Sequence, residues 1–254
     1  MKYTYKEYKQ LIDLPLDDKI KWSLNLIESS LKKSKTPAVS LSWGKDSVVM
    51  LDLISNFCKG VYVIFANTGV EYPETYKYRD DMLKGYFEWT NYIETKPIKT
   101  FWECVELYGY PTIRGKGSSN TPKCCTYLKE MPLKKAEKEL GVDLSFIGIQ
   151  ATESMNRRLV FMRVGEYYFN KENQYNRCYP LAIWTDEDVW EYAKRRQIPM
   201  NPIYSTMKRN GCMFCTGFKN WREVMVKYKP EIYKLISNRY DEQSILANWE
   251  CYKK

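Results

Sequence analysis

The sequence contains no histidine. This absence excludes Ser-His-Asp and Cys-His catalysis, and it excludes every zinc site that needs an imidazole ligand. The sequence also lacks an apolar run of the roughly 18 residues that a transmembrane helix requires. Its first ten residues, MKYTYKEYKQ, lack the apolar core of a signal peptide. We therefore expect a cytoplasmic protein with no membrane partner.

The composition favours a globular chain with anionic partners. The 254 residues are 44% hydrophobic, which is enough for a substantial core, and the formal net charge is +9. This charge suits nucleotides or nucleic acid, although a lysine-rich solvated surface accounts for it equally well. Eight cysteines in a cytoplasmic protein indicate reduced thiols, metal ligands or redox chemistry rather than structural disulfides.

Buried strands alternate with helices along most of the chain. The segments 38–42, 61–66 and 143–151 are typical of buried parallel strands, and helical patterns follow them at 45–57 and 73–84. This alternation predicts an α/β fold, a doubly wound parallel sheet over residues 37–200. We expect an N-terminal helical segment at 1–36, and a small C-terminal lobe at 201–254 that holds a cysteine knuckle and helices.

The first strand leads directly into a short polar loop and then into a helix. Such a loop offers backbone N–H groups, hydroxyls and one ammonium to a phosphate group at the carboxyl end of a parallel strand. It lacks the Walker A spacing. A plain strand-to-helix turn is the alternative interpretation. The candidate phosphate-binding residues are Ser42, Trp43, Gly44, Lys45, Asp46 and Ser47.

Four cysteines form a second candidate site. Cys124 and Cys125 are adjacent, and Cys212 and Cys215 have the spacing of a metal-binding knuckle. Four thiolates without histidine suit zinc or an iron–sulfur cluster, and adjacent cysteines fit the wider cluster better than a single zinc ion. Buried free cysteines are the alternative.

These motifs carry a family resemblance. The loop SWGKDS resembles the PP-loop, usually SGGKDS, of the adenine nucleotide α-hydrolase superfamily. Further segments resemble, in order, the phosphoadenosine phosphosulfate reductase family: FANTGVEYPETY, KCCTYLKEMPL, GIQATESMNRR, YPLAIWTDEDVWEY and NPIYSTMKRNGCMFC. The four cysteines resemble those of its cluster-bearing branch and of the related DndC-type DNA phosphorothioation enzymes. The resemblance thus implies an adenine nucleotide α-hydrolase-like fold and a 4Fe-4S cluster.

The resemblance also assigns roles to individual residues. It implies that the end of the second strand contacts adenine and ribose, and that a later segment contacts the phosphates or sulfate. Three positions depart from the family: Trp43 replaces a glycine, Asn67 replaces the usual aspartate, and Gln150 stands where an arginine is common. The implied contact residues are Phe65, Ala66, Asn67, Thr68 and Gly69 for the nucleoside, and Glu153, Arg157 and Arg158 for the anion.

Three functions remain open at this point. In the preferred one, Lys45, Asp46 and Arg157 catalyse adenylation by ATP with Mg²⁺, and a sulfur donor then modifies the acceptor, such as tRNA or DNA. In the second, Cys251 attacks adenylyl sulfate or phosphoadenylyl sulfate, and a thiol reductant protein helps to release sulfite. The third is a non-catalytic iron–sulfur nucleotide sensor. The tail NWECYKK lacks the Gly-Leu-His of the reductase tail, so Cys251 could also be a surface thiol without a role. The oligomeric state stays open.

Overall fold

A computed structural model describes residues 1–88, 90–112 and 122–251, with side chains as far as Tyr240. The chain forms two compact units, each made from three stretches of sequence. Unit 1 comprises Met1–Phe65, Lys77–Glu94 and Lys134–Asn201, and unit 2 comprises Ala66–Tyr76, Thr95–Leu133 and Pro202–Lys254. No helix in the described stretches has the length and apolar character needed to cross a membrane.

The helices and strands alternate through the first two thirds of the chain. In chain order they are α1 (Tyr5–Ile12), α2 (Leu16–Leu31), β1 (Pro37–Leu41), α3 (Lys45–Ser55), β2 (Tyr62–Ala66), α4 (Pro73–Lys84), β3 (Asn91–Thr95), α5 (Phe101–Tyr108), α6 (Lys123–Cys125), α7 (Met131–Glu139), β4 (Leu144–Ile147), α8 (Met155–Val164), β5 (Tyr167–Asn170), β6 (Tyr175–Cys178), α9 (Asp186–Arg195), α10 (Trp221–Tyr228) and α11 (Pro230–Cys251). A π-helical turn, Thr126–Glu130, joins α6 to α7.

The strands form one six-stranded sheet in the order β3-β2-β1-β4-β6-β5. β1 is parallel to both β2 and β4, and β4 is parallel to β6. Only the pairing of β5 with β6 is antiparallel among the pairings described here. The predicted α/β fold with a doubly wound sheet is therefore confirmed, with one antiparallel edge strand that the sequence analysis did not predict.

The core of unit 1 lies between β1, β2, β4 and the helix α3. Every residue from Val48 to Ile54 on α3 is almost fully buried, including the charged Asp52. The Asp52 carboxylate accepts hydrogen bonds from the hydroxyls of Tyr86 and Tyr192, both at 2.7 Å, and from the guanidinium of Arg196. These partners offset the cost of burying a charge inside the core.

The helix predicted at 73–84 is α4, and the helix predicted at 45–57 is α3, which ends at Ser55. The strand predicted at 143–151 is shorter than expected, because β4 ends at Ile147. Two features were missed. The helix α8 has an amphipathic pattern too weak to detect, and the strands β5 and β6 lack a run of buried apolar residues.

Unit 2 has its own core. Buried residues of α5, of the π-helical turn and of α10 and α11 pack together, represented by Phe101, Leu128, Met225 and Ile236. Aromatic rings dominate this cluster, and Phe214 lies between Phe101 and Trp102 at centroid distances of 5.7 and 4.9 Å. Such a core is expected to position the surrounding cysteine segments firmly.

Candidate functional site: the PP-loop and the thiol group

The loop between β1 and α3 is closed by its own hydroxyl groups. Ser47 Oγ donates to the Gly44 carbonyl at 3.0 Å and accepts from the Ser42 backbone N–H at 3.1 Å. The two serine hydroxyls lie 3.1 Å apart. Gly44 caps α3 without any side-chain hydrogen bond, so no side chain of the cap occupies the N–H groups of the first turn. This arrangement leaves an electropositive helix end suited to phosphate.

Trp43 occupies the position where the PP-loop usually has glycine. The backbone conformation at this position explains why glycine is preferred there. Its φ is +57°, in the left-handed region that costs most residues about 1–2 kcal/mol. The side chain is fully buried, and its indole ring contacts Phe65, Tyr78 and Tyr92 at centroid distances of 5.9–6.5 Å. Burial of the indole therefore offsets the strained conformation.

Two carboxylates converge on the ammonium group of the loop. Lys45 Nζ lies 2.8 Å from Asp46 Oδ1 and 2.8 Å from Asp186 Oδ1. Burial tends to lower the pKa of Lys45, but Asp46 and Asp186 outweigh it, so its pKa is raised and the side chain stays protonated. One positive and two negative side chains leave this part of the loop with a net negative charge.

The segment after β4 packs closely against the start of α3. The register places Ser40 beside Ile147, so Gly148 follows at the same sheet edge as the loop. A Cβ atom on Gly148 would lie 3.1 Å from backbone atoms of Asp46 and Ser47. The next polar side chain, Gln150, is buried, and its amide donates to Asp46 Oδ1 at 2.5 Å. Gln150 thus holds the carboxylate of Asp46 in place.

The predicted nucleoside-contact residues fall in both units. Phe65 ends the unit 1 stretch, where its ring meets Trp43 edge-on. In unit 2, Asn67 Oδ1 accepts hydrogen bonds from the Gly69 N–H and the Tyr76 hydroxyl, both at 2.8 Å. The Thr68 hydroxyl donates to Glu71 at 2.8 Å. These bonds order the segment after β2, of which Ala66 is the first residue in unit 2.

The predicted anion-contact residues lie at the beginning of α8. Glu153 and Arg157 form an ion pair. The Arg158 guanidinium lies 6.0 Å from the ring centroids of Tyr5 and Tyr8 on α1. The structure therefore directs these neighbouring arginines to different partners.

The four predicted cluster ligands all belong to unit 2. The side chains of Cys124 and Cys125 are hydrogen-bonded, and this contact, together with burial, raises the pKa of Cys124, with smaller effects from Cys212 and Cys215. Cys212 Sγ lies 3.7 Å from the Thr68 hydroxyl, and the Cys215 N–H donates to the Cys212 carbonyl at 3.1 Å. Both cysteine pairs therefore lie in one neighbourhood.

Lys129 lies within this thiol group. The Cys212 sulfur, with Glu71, Cys125 and Cys215, raises the pKa of Lys129 despite its desolvation. No three cysteine, aspartate or glutamate side chains of the described residues are arranged to hold a metal ion. The donor chemistry nevertheless fits a sulfur-ligated cluster, because four thiols and no imidazole share this neighbourhood.

The structure brings three further residues to these sites, none of which carries an assigned role in the sequence motifs. Asp186 contacts Lys45, Gly148 contacts the loop backbone, and Lys129 lies among the thiols. A glycine directly after a buried strand was a usable signal for Gly148. Asp186 and Lys129 resemble ordinary surface residues of helical segments, so no local pattern marked them.

Comparisons with known proteins relate this geometry to a family. A profile of the phosphoadenosine phosphosulfate reductase domain matches residues 36–218. An uncharacterised protein of Methanocaldococcus jannaschii is 32% identical over 222 residues, which are 84% of this chain and 42% of that protein. This chain therefore spans less than half of that relative's length. An adenosine 5′-phosphosulfate reductase of a Geobacillus species is 26% identical over 219 residues, 85% of this chain and 88% of the relative.

Solved structures share the fold. A phosphoadenylyl-sulfate reductase of Candida auris has a TM-score of 0.54 at 19% identity, covering 81% of this chain and 93% of that one. The U34-tRNA thiolase of Methanococcus maripaludis, solved with its 4Fe-4S cluster, has a TM-score of 0.51 at 19% identity, covering 90% and 79%. Since the family profile covers well over half of the residues and the loop has the geometry described above, this chain belongs to the phosphoadenosine phosphosulfate reductase domain family.

Proposed function

We propose that the chain is a PP-loop enzyme that binds ATP with Mg²⁺ and adenylates an acceptor, which then receives sulfur. The observation that carries this proposal is the pair of carboxylates, Asp46 and Asp186, on Lys45. A net negative loop repels a bare polyanion. It suits a nucleotide that arrives with a divalent cation, because Mg²⁺ binds one or two carboxylates together with phosphate oxygens.

The residues of the chain would act by position and charge. The N–H groups at the start of α3 and the Lys45 ammonium would hold the phosphates, and Asp46, fixed by Gln150, would face the cation. An acceptor oxygen would attack the α-phosphorus, the bond to pyrophosphate would break, and the adenylated acceptor would form. Arg157 is the proposed stabiliser of the charge that develops. Because pyrophosphate leaves without protonation by the enzyme, no histidine is required.

Unit 2 is the proposed location of an iron–sulfur cluster. Cys124, Cys125, Cys212 and Cys215 supply the donor set, and the tRNA thiolase with the same fold carries a 4Fe-4S cluster. A cluster held by these thiolates would tie the two cysteine segments together and would place negative charge beside Lys129. The acceptor would be tRNA or DNA. A separate donor of sulfide-level sulfur would then form the new bond to sulfur, the bond to the adenylated oxygen would break, and AMP would leave with that oxygen.

The second candidate is a reductase for adenylyl sulfate or phosphoadenylyl sulfate. It is favoured by the names of the relatives, which include adenosine 5′-phosphosulfate and phosphoadenosine 5′-phosphosulfate reductases. In that reaction the Cys251 thiolate would attack the sulfate sulfur and displace the nucleotide. A dithiol reductant protein would then attack the resulting S-sulfonate and release sulfite. The side chain of Cys251 lies outside the described residues.

One experiment separates the candidates. Anaerobically purified protein is incubated with ATP, Mg²⁺ and bulk tRNA or DNA, and separately with each adenylyl sulfate plus thioredoxin. We expect pyrophosphate release that Lys45→Ala abolishes and Cys251→Ser preserves. Sulfite release that Cys251→Ser abolishes would replace this proposal with the reductase. Nucleotide binding without either product would indicate a non-catalytic sensor.

The cluster is tested separately from the activity. Iron and acid-labile sulfide are measured in the wild-type protein and in single cysteine-to-serine variants. We expect both to fall by at least half in Cys124→Ser and Cys212→Ser. Cys58→Ser is the matched control, since Cys58 is a half-buried cysteine of unit 1. Equal amounts of zinc in place of iron would contradict the cluster.

A further inference from the structure

Unit 1 contains a cavity whose lining shares only Arg157 with the residues proposed for adenylation. It has a volume of about 370 Å³ and lies between the segment after β4, the helix α8 and the β5–β6 hairpin. This volume is in the range of pockets that bind small molecules. None of the loop residues from Ser42 to Ser47 lines it.

The cavity and the PP-loop lie on opposite sides of the segment that follows β4. Gln150 has extended dihedral angles and points its amide toward Asp46. Its neighbours Ile149 and Ala151 line the cavity. Because successive side chains of an extended segment point to opposite sides, this segment contacts the loop on one side and lines the cavity on the other.

The charge of the cavity lining has one sign. Arg157, Arg163 and Arg177 contribute to it, and none of the described lining residues is acidic. Arg157 is paired with Glu153, which lies outside the lining. Arg163 is exposed, and it has no ion pair with a carboxylate among the residues that the structure describes. The lining therefore attracts an anion.

Arg177 supplies an unsatisfied donor. It is half-buried on β6, close to the hydroxyls of Tyr168, Tyr175 and Tyr179, and its Nε is fully buried. That Nε has no hydrogen-bond partner within the described parts of the chain. A buried donor without a partner commonly marks the position of a water molecule or an ion.

The same lining supplies hydroxyls and an apolar wall. The hydroxyls of Tyr168 and Tyr179 lie 2.8 Å apart, so one of them donates to the other and the second proton remains available. Val160 and Phe161 of α8 and Ala182 form the apolar wall. A ligand with one anionic head and an apolar body would match both parts of this surface.

We propose that this cavity is a second ligand site, which binds a small organic anion with a phosphate or carboxylate head and an apolar body. The head contacts Arg177 and Arg163, and the body lies against α8. The proposed head-group contacts, Arg177 and Arg163, take no part in the proposed adenylation, so the proposal stands whether or not the chain adenylates an acceptor.

The test is isothermal titration calorimetry with defined probes. Phenyl phosphate and benzoate distinguish the two head groups, and benzyl alcohol is the uncharged probe. We expect at least one anion to bind the wild-type protein and Lys45→Ala with equal affinity, while benzyl alcohol gives no measurable binding. Arg177→Gln and Arg163→Gln should each weaken binding at least ten-fold. Arg195→Gln, an exposed arginine of α9 in the same unit, should leave it unchanged.

Folding is checked by circular dichroism and thermal unfolding of each variant. If Arg177→Gln does not fold, the proposal is tested with Arg163→Gln and with Val160→Trp, which fills the cavity. Both variants should weaken or abolish anion binding. Absence of binding by both anions would mean that only water occupies the cavity and would overturn the proposal. Loss of binding in Lys45→Ala with retention in Arg163→Gln would assign the anion to the PP-loop and would also overturn it.

Discussion

The ammonium of Lys45 lies 2.8 Å from the carboxylate of Asp186, a residue 141 positions later in the chain. Lys45 begins α3 and is buried, whereas Asp186 begins α9 and its side chain is 58% exposed. The contact joins the PP-loop to a helix that is distant in the sequence. The exposed part of the carboxylate is available to the cation that we propose.

Replacement of Asp186 by asparagine should change the affinities for metal-bound and metal-free nucleotides in opposite directions. We expect Asp186→Asn to weaken the affinity for ATP with Mg²⁺ about five-fold, since one cation ligand is lost. The affinity for AMP without metal should rise by a similar factor, because one repulsive charge at an exposed site is removed. Calorimetric titrations measure both, with the exposed Asp17→Asn as control. Equal changes for both nucleotides would contradict the cation role.

Restoring the usual glycine at position 43 should destabilise this protein. Trp43→Gly removes the strain of a positive φ, a gain of about 1–2 kcal/mol. It also removes a fully buried indole, and truncation of a large aromatic side chain costs about 3–5 kcal/mol. We expect the free energy of unfolding in urea to fall by roughly 2–3 kcal/mol. Trp190→Ala, at a tryptophan that is 37% exposed, should cost less. An unchanged or higher stability of Trp43→Gly would show that backbone strain dominates.

A methyl group at position 148 should disturb the loop. The Cβ of Gly148→Ala would press on the backbone of Asp46 and Ser47 at 3.1 Å, and overpacking of this kind costs about 1–3 kcal/mol. We expect nucleotide affinity to fall about ten-fold, equivalent to roughly 1.4 kcal/mol. Gly60→Ala is the matched control, because no described atom beyond its chain neighbours lies within 4 Å of where its methyl group would be. Normal affinity in Gly148→Ala would show that the loop moves freely.

The ionised carboxylate of Asp143 should stabilise the folded protein, and this stabilisation should be lost in acid. Although burial acts to raise it, hydrogen bonds from the Ser34 hydroxyl and the Lys35 and Thr36 N–H groups lower the pKa of Asp143 in the folded state. A lowered folded pKa contributes stability above the unfolded value of about 3.9, and this contribution disappears as the pH falls through the folded pKa. We expect Asp143→Asn to cost about 1–2 kcal/mol at neutral pH.

The difference between Asp143→Asn and wild type should begin to shrink below about pH 4, the unfolded pKa, and should disappear below the lowered folded pKa, where the folded wild-type carboxyl becomes neutral. Urea unfolding at a series of pH values measures this difference in the free energy of unfolding. Asp81→Asn, at an exposed carboxylate paired with Lys77, should show almost no difference at any pH. A constant difference down to the lowest pH would mean that packing rather than charge explains the cost.

Short-range patterns were sufficient to predict most of the fold. The apolar runs of β1 and β2 and the helical patterns of α3 and α4 each lie within one short stretch of chain, so their signals can be read from neighbouring residues in the sequence. The strands β5 (YYFN) and β6 (YNRC) were missed because they lack the run of buried apolar residues that marks the equally short β4 (LSFI).

Most of the helices and strands were predictable from the sequence, as were the PP-loop and the four cysteines as candidate sites. The distant residues that contact these sites were not predictable. Strand order brings Gly148 and Asp186 to the PP-loop, and the packing of unit 2 brings Lys129 to the thiols. It also gathers the three arginines around one cavity. Such contacts depend on the pairing of strands and the closure of cores over long sequence separations, and no local pattern encodes them.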